Sequence, residues 1–262
     1  MVLNVMITGA SGSLGSLFRE FFSEHALTLV SRSPLKTGQN ENWTQSGDLL
    51  DQNWWAHFPF SKKYDLVLHL AEPVKREMTT NEIDRLVSSH NQFIANALEH
   101  SATVLYPLTA YRYDRKLGNK SATYRTIKER VFADNRHLKR MCFPVFHPLI
   151  DYGKGIHSII QLERKIPLVN IFCDFSAEIP VLCKNDLENL LFSTLSDGMM
   201  DVYSKIVPIS ELFANQNRSN LHVLSRLLKT VISIFSFIPI FDLLLRGRRI
   251  DKQADFILSK PD

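Results

Sequence analysis

The run Met6-Ile7-Thr8-Gly9-Ala10-Ser11-Gly12-Ser13-Leu14-Gly15 constrains this chain more than any other stretch. It follows an apolar segment opening at Val2 and precedes Leu14, Leu17, Phe18, Phe21 and Phe22 at helical spacing. Strand, glycine turn and helix in that order point to a nucleotide-binding βα unit. The glycines let the backbone turn tightly and approach a pyrophosphate, and the helix N-terminus offers free N–H groups and a positive dipole end. The spacing is G-x-x-G-x-x-G, one residue longer at its front than the G-x-G-x-x-G of ordinary dehydrogenases.

Further strand-like runs alternate with helix-like segments, which predicts βαβ units and a parallel sheet. Candidate strands cover residues 2–8, 27–31, 66–70, 103–108, 142–147 and 179–183, with a short one before Gly47-Asp48. Ile83, Leu86, Val87, Ile94, Ala97 and Leu98 share a helical face, with His90 on it as a packed core histidine. A second helix carries Tyr124, Ile127, Lys128, Val131 and Phe132 on one side. The fold class expected is α/β: a doubly wound parallel Rossmann-type domain over residues 1–150, then a small C-terminal substrate lobe over residues 151–262. The stretch from Ile179 to Leu195 is expected to return to the sheet. At 262 residues the chain is long enough for a proper core.

Other chemistries are disfavoured. A net charge of +4 suits anionic small molecules and is far from the basic stripe of a nucleic-acid binder. Cys142, Cys173 and Cys183 lack metal-binding spacing, so no metal is expected, and their odd number argues against a disulfide framework. A reducing, cytoplasmic setting is the expectation, since an apolar strand opening at residue 2 is no secretory leader. From Leu221 to Leu245 the chain is very apolar, but its uncharged stretch falls short of a bilayer span and Pro239 interrupts it. Burial or a dimer contact is the first reading of that segment. A seat on an anionic membrane surface, aided by flanking arginines, is the second.

Tyr124-Arg125-Thr126-Ile127-Lys128 is a Y-x-x-x-K whose two functional side chains share a helix face. A free tyrosine titrates near pH ~10 and is a poor base at neutral pH. A nearby ammonium favours phenolate and makes the tyrosine usable as acid and base.

Across roughly residues 2–195 the chain resembles the extended short-chain dehydrogenase/reductase family, the NAD-dependent epimerase/dehydratase type that modifies nucleotide sugars. Thr8 to Gly15 matches the family's TGxxGxxG turn, which implies cofactor contacts from Gly9, Ser11, Gly12, Ser13, Leu14 and Gly15. Gly47-Asp48-Leu49 is similar to its G-D-L, which implies that Asp48 holds the adenine amino group beside Leu49. Leu68-His69-Leu70-Ala71 resembles the strand signature where the backbone of Leu70 and Ala71 passes the cofactor. Thr109 sits where the family places its catalytic Ser or Thr, and Tyr124 and Lys128 fall on its catalytic pair. The stretch from His147-Pro148 to Gly155 looks like R-P-x-N-x-Y-G-x-G, which puts His147 and Pro148 at the cofactor. Lys184-Asn185-Asp186-Leu187 resembles the later V-D-D-L helix start.

The resemblance implies hydride exchange at a sugar carbon. Tyr124 moves the proton, Thr109 orients the reacting oxygen, and Lys128 holds the nicotinamide ribose and keeps the tyrosine acidic. After the second strand stands Arg32 and no carboxylate, which favours NADP over NAD. Two departures bear on the substrate: His147 replaces the usual Arg, and Ile150 stands where an Asn is common. Ala110-Tyr111 follows Thr109 where a dehydratase carries an acidic pair, and Thr109 to Asp114 is similar to the T-D-Y-V-F-D of dTDP-4-dehydrorhamnose reductases. The reading is an oxidoreductase reducing a keto group of a nucleotide-linked sugar, in polysaccharide biosynthesis. A nucleotide-sugar 4-epimerase and a non-catalytic NADP sensor or scaffold are the alternatives. A homodimer through the two helices is implied by the family.

Overall fold

A computed structural model describes residues 2–72, 78–109, 119–147, 178–187 and 198–208. The glycine turn is preceded by strand β1 (Asn4–Thr8) and followed by helix α1 (Ser13–Phe21). Next come β2 (Ala26–Ser31), β3 (Glu41–Gln45), the short helix α2 (Gln52–Ala56) and β4 (Tyr64–His69). Then follow α3 (Thr80–His100), β5 (Ser101–Leu105), β6 (Leu108–Thr109), α4 (Asn119–Asn135) and β7 (Met141–Phe146).

β1 lies between β2 and β4, and every described pairing in this sheet is parallel. β5 and β6 pair in one register with the same side of β7, so they act as one strand interrupted at Tyr106-Pro107. The chain crosses from β1 outward to β2 and β3, then back past β1 to β4. That reversal opens a crevice beyond the carboxyl ends of β1 and β4, where ligands of open parallel sheets bind. The α/β, doubly wound parallel architecture expected from the sequence is what the chain adopts.

The elements form where their side chains demand. β1, β2, β4 and β7 are buried almost throughout, because helices cover both faces of a parallel sheet. α3 carries a capping box: the Thr79 hydroxyl accepts from the Glu82 N–H at 3.3 Å, and the Glu82 carboxylate accepts from the Thr79 N–H at 2.9 Å. Leu86, Val87, Phe93, Ile94 and Ala97 of that helix are buried. Asp51 caps α2, accepting from the Trp54 N–H at 3.1 Å. Trp55 packs edge-on to Phe93, so the tryptophan pair of α2 serves core packing. Arg19 of α1 grips Glu41 of β3 with two hydrogen bonds of 2.5 Å, and this holds the carboxylate below its ordinary pKa.

Two compact units divide the chain: residues 1–112, 116–146 and 191–202 form the first, and residues 113–115, 147–190 and 203–262 the second. Here the strand assignment read from the sequence needs correcting. Within the second unit, β8 (Glu178–Val181) pairs antiparallel with β10 (Lys205–Pro208) in a sheet of its own. The strand that joins the parallel sheet is β9 (Gly198–Val202), beside β7. The run around Pro180 is apolar enough for a core strand, but apolar content alone does not say which sheet a short strand joins; residues 188–195 of the expected returning stretch lie outside the described residues. The apolar segment from Leu221 to Leu245 lies outside the described residues. Among the described residues no helix is long and apolar enough to cross a membrane.

Candidate active site

The glycine turn is built for close approach. Gly9 has φ +67°, and a Cβ placed there would lie 2.7 Å from the Ala71 nitrogen. A Cβ at Gly15 would run into the Gly9 carbonyl oxygen, so the first turn of α1 packs directly on the turn. The N-cap of α1 is Gly12, without a side-chain cap, and no acidic residue stands in the first turn. Ser11, Gly12 and Ser13 are exposed. The leading N–H groups of α1 therefore have no helical acceptor and face outward, which is the donor arrangement a pyrophosphate needs. The residues present fit a dinucleotide.

Arg32 is exposed directly after β2. Beside it the Ser31 hydroxyl donates to the Ser33 carbonyl at 2.6 Å and accepts from the Trp43 indole at 3.0 Å. Beyond β3, Asp48 is exposed and accepts the Leu50 N–H at 2.8 Å, while its carbonyl takes the Trp55 indole N–H. Leu49 is half-buried beside it. Leu70 and Ala71 follow β4 and are buried against Gly9. Thr109 is buried at the end of β6. Tyr124 and Lys128 lie on α4, which packs on α3 and β6. In the second unit His147 is buried, edge-on to Tyr203 at 5.8 Å. Pro148 and the rest of its motif, and Ala110 to Asp114, lie outside the described residues.

Four more residues join this neighbourhood, and the sequence reading assigned none of them to it: His69, Glu72, His90 and Tyr106. Lys128 is fully buried, and its ammonium forms an ion pair with Glu72, the residue immediately after Leu70-Ala71. The same ammonium lies 3.9 Å from the centroid of the Tyr106 ring and 5.7 Å from that of Tyr124. Burial pushes the lysine pKa down, and the Glu72 charge opposes that push. Burial, followed by the Glu72 and Tyr124 charges, sends the Tyr106 phenol well above its ordinary range.

Behind Glu72 runs a chain of buried hydrogen bonds. The Thr8 hydroxyl accepts from the Ala71 N–H at 3.1 Å and meets His69 Nδ1 at 2.8 Å. His69 Nε2 meets His90 Nδ1 at 2.8 Å, and His90 Nε2 stands 3.9 Å from the Glu72 carboxylate. Burial holds His69 well below its ordinary pKa and His90 down at about 4, so both rings are neutral at physiological pH. A neutral ring has one donor and one acceptor nitrogen. With a carboxylate facing His90 Nε2, that nitrogen carries the proton; His90 Nδ1 then accepts from His69 Nε2–H, and His69 Nδ1 accepts from the Thr8 hydroxyl. His90 is the core histidine expected from its helical position. The signal for its partner was in plain view, since His69 belongs to the quoted Leu68-His69-Leu70-Ala71. Nothing in the linear pattern singles out Glu72.

Residues 5–117 match the model of the NAD dependent epimerase/dehydratase family. A comparison by sequence with curated proteins finds no match. Among solved structures, the chain is similar to the Bordetella bronchiseptica enzyme WbmG in complex with NAD, with TM-score 0.63 and 14% identity over 84% of this chain and 80% of that one. A hypothetical dTDP-4-dehydrorhamnose reductase from Sulfolobus tokodaii gives TM-score 0.59 and 16% identity, covering 81% of each chain. Epimerase Mth375 from Methanothermobacter thermautotrophicus gives 0.53 and 14%, over 86% of this chain and 77% of that one. At such identities the likeness is one of fold. Over residues 5–117 the chain thus resembles the NAD dependent epimerase/dehydratase family by sequence, and it carries the Rossmann-type fold of these structures.

Proposed function

We propose that this chain is an NADP-dependent oxidoreductase that reduces a keto group on a nucleotide-linked sugar. One observation carries the reading. Tyr124 and Lys128 share one side of α4, and the lysine ends beside Glu72, next to the backbone that touches the glycine turn. The glycine turn from Gly9 to Gly15 would hold the pyrophosphate, Arg32 the 2′-phosphate, and Asp48 with Leu49 the adenine. Leu70 and Ala71 would flank the nicotinamide half, and the family resemblance assigns His147 and Pro148 to the cofactor as well. When bound, the dinucleotide supplies the hydride chemistry.

Tyr124 donates its phenolic proton to the sugar oxygen as the carbonyl is reduced. Lys128 favours the phenolate that remains and offers its other N–H groups to the ribose. Thr109, at the end of β6, orients the sugar oxygen by a hydrogen bond. The family match and the NAD complex of WbmG support a pyridine dinucleotide as the cofactor, and Arg32 supports its phosphorylated form. A complex of WbmG with NAD and UDP supports a nucleotide-linked substrate.

The second reading is a 4-epimerase, favoured by the likeness to Mth375 and to NAD-bound WbmG. Purified protein separates the two. Stoichiometric NADPH oxidation, followed at 340 nm with 4-keto nucleotide sugars, supports the reductase. NAD that stays with the protein until denaturation, with no net oxidation, supports the epimerase. A chain that binds NADPH but turns over no keto sugar, with Tyr124→Phe changing nothing, is the non-catalytic sensor. The family resemblance implies a homodimer through α3 and α4, which light scattering of variants on their exposed faces tests.

A further inference from the structure

The lysine of the Y-x-x-x-K does not wait alone for a cofactor. Its ammonium is out of contact with water and paired with a carboxylate supplied from the end of β4. A buried ammonium without a counter-charge sheds its proton, because low dielectric penalises the charged form. A line of polar groups lies behind the carboxylate. His90 Nε2 stands 3.9 Å from it, the two histidines and Thr8 form a hydrogen-bonded line behind it, and that line ends at the Ala71 N–H beside the glycine turn.

We propose that Glu72 is a positioning residue of this site: its carboxylate is the counter-ion that keeps the buried Lys128 protonated and aimed at Tyr124. The inference rests on the functional reading above. The groups facing the lysine are Glu72 after β4, Tyr106 after β5, Tyr124 on its own helix, and the neutral His90 of α3 and His69 of β4 behind the carboxylate. Glu72 is the one carboxylate among them. Lys128 has three donors. Glu72 takes one, which leaves two directions for a ribose hydroxyl and the phenol. Both histidines are neutral, so neither adds a positive charge that would compete with Lys128 for the carboxylate.

The test reads the lysine directly, without substrate. Full-length protein labelled with 13C-lysine is titrated by NMR, with Lys128→Met identifying the Lys128 Cε signal, and NADPH and NADH binding is followed by fluorescence on the same samples. Glu72→Gln keeps the shape and removes the charge, so the Lys128 signal should lose its proton at least about one pH unit lower than in wild type. Glu72→Asp, which keeps the charge at longer reach, should fall between the two. If Glu72→Gln does not fold, the Glu72→Asp comparison with wild type decides alone. Coincident Lys128 titrations in wild type and either folded variant overturn the role of Glu72 while dinucleotide binding stands. A wild-type chain that binds neither dinucleotide overturns the functional reading, and the role of Glu72 with it.

Discussion

At the scale of single residues, the account makes two demands. Tyr124→Phe removes only the phenolic oxygen, so dinucleotide affinity should be unchanged while turnover falls about 10²–10⁴-fold, the usual worth of general acid–base catalysis. Fluorescence titration and steady-state rates on one preparation measure both. Gly9→Ala meets a positive φ and the backbone of Ala71 together. It should lower stability by more than about 1 kcal/mol in urea denaturation and abolish dinucleotide binding. These two sites were legible in the sequence because their chemistry is local: a turn that needs glycines, and two side chains one helical turn apart. Glu72 was not. A lone glutamate after a strand reads as a solvated charge, and its meaning comes from which helix packs above it, a fact of tertiary structure.

At the scale of elements, β4 and α3 are joined through His69 and His90, and that join should make stability depend on pH. The unfolded His90 binds a proton near its ordinary pKa of 6.5, whereas the folded one resists until about pH 4. Between those values the unfolded chain binds more protons, so stability is complete above 6.5 and declines as pH falls through the window to 4. His69, depressed by the same burial, adds in the same direction. The loss should be on the order of 3 kcal/mol from His90 alone, read as urea midpoints from pH 7 to pH 4. His90→Phe should flatten the slope. Thr79→Ala should cost α3 about 1 kcal/mol through its capping box. Helix and strand positions in this part were legible from periodicity, with ends displaced by a residue or two. The capping box lay in the sequence as Thr79-x-x-Glu82 and went unread. The returning strand was misplaced because apolar content does not tell which sheet a short strand joins.

At the scale of the whole molecule, the parallel sheet and its crevice give the chain a place for a dinucleotide, and the proposed reading assigns the choice between NADP and NAD to the end of β2. Arg32→Ala should cost about tenfold or more in NADPH affinity, the worth of one charge-assisted hydrogen bond, and leave NADH affinity nearly unchanged. The fold class was legible because alternating strands and helices admit few arrangements once the glycine turn fixes the first βα unit. The second unit was less so, since its segments carry no comparable period. The most direct test of the account is a crystal structure of the protein soaked with NADP. The expected density runs from Arg32 across the N-terminus of α1 and ends with the nicotinamide ring facing the Tyr124 hydroxyl and its ribose on Lys128. A dinucleotide seated with its ring away from Tyr124, or a crevice that admits none at saturating concentration, would contradict it.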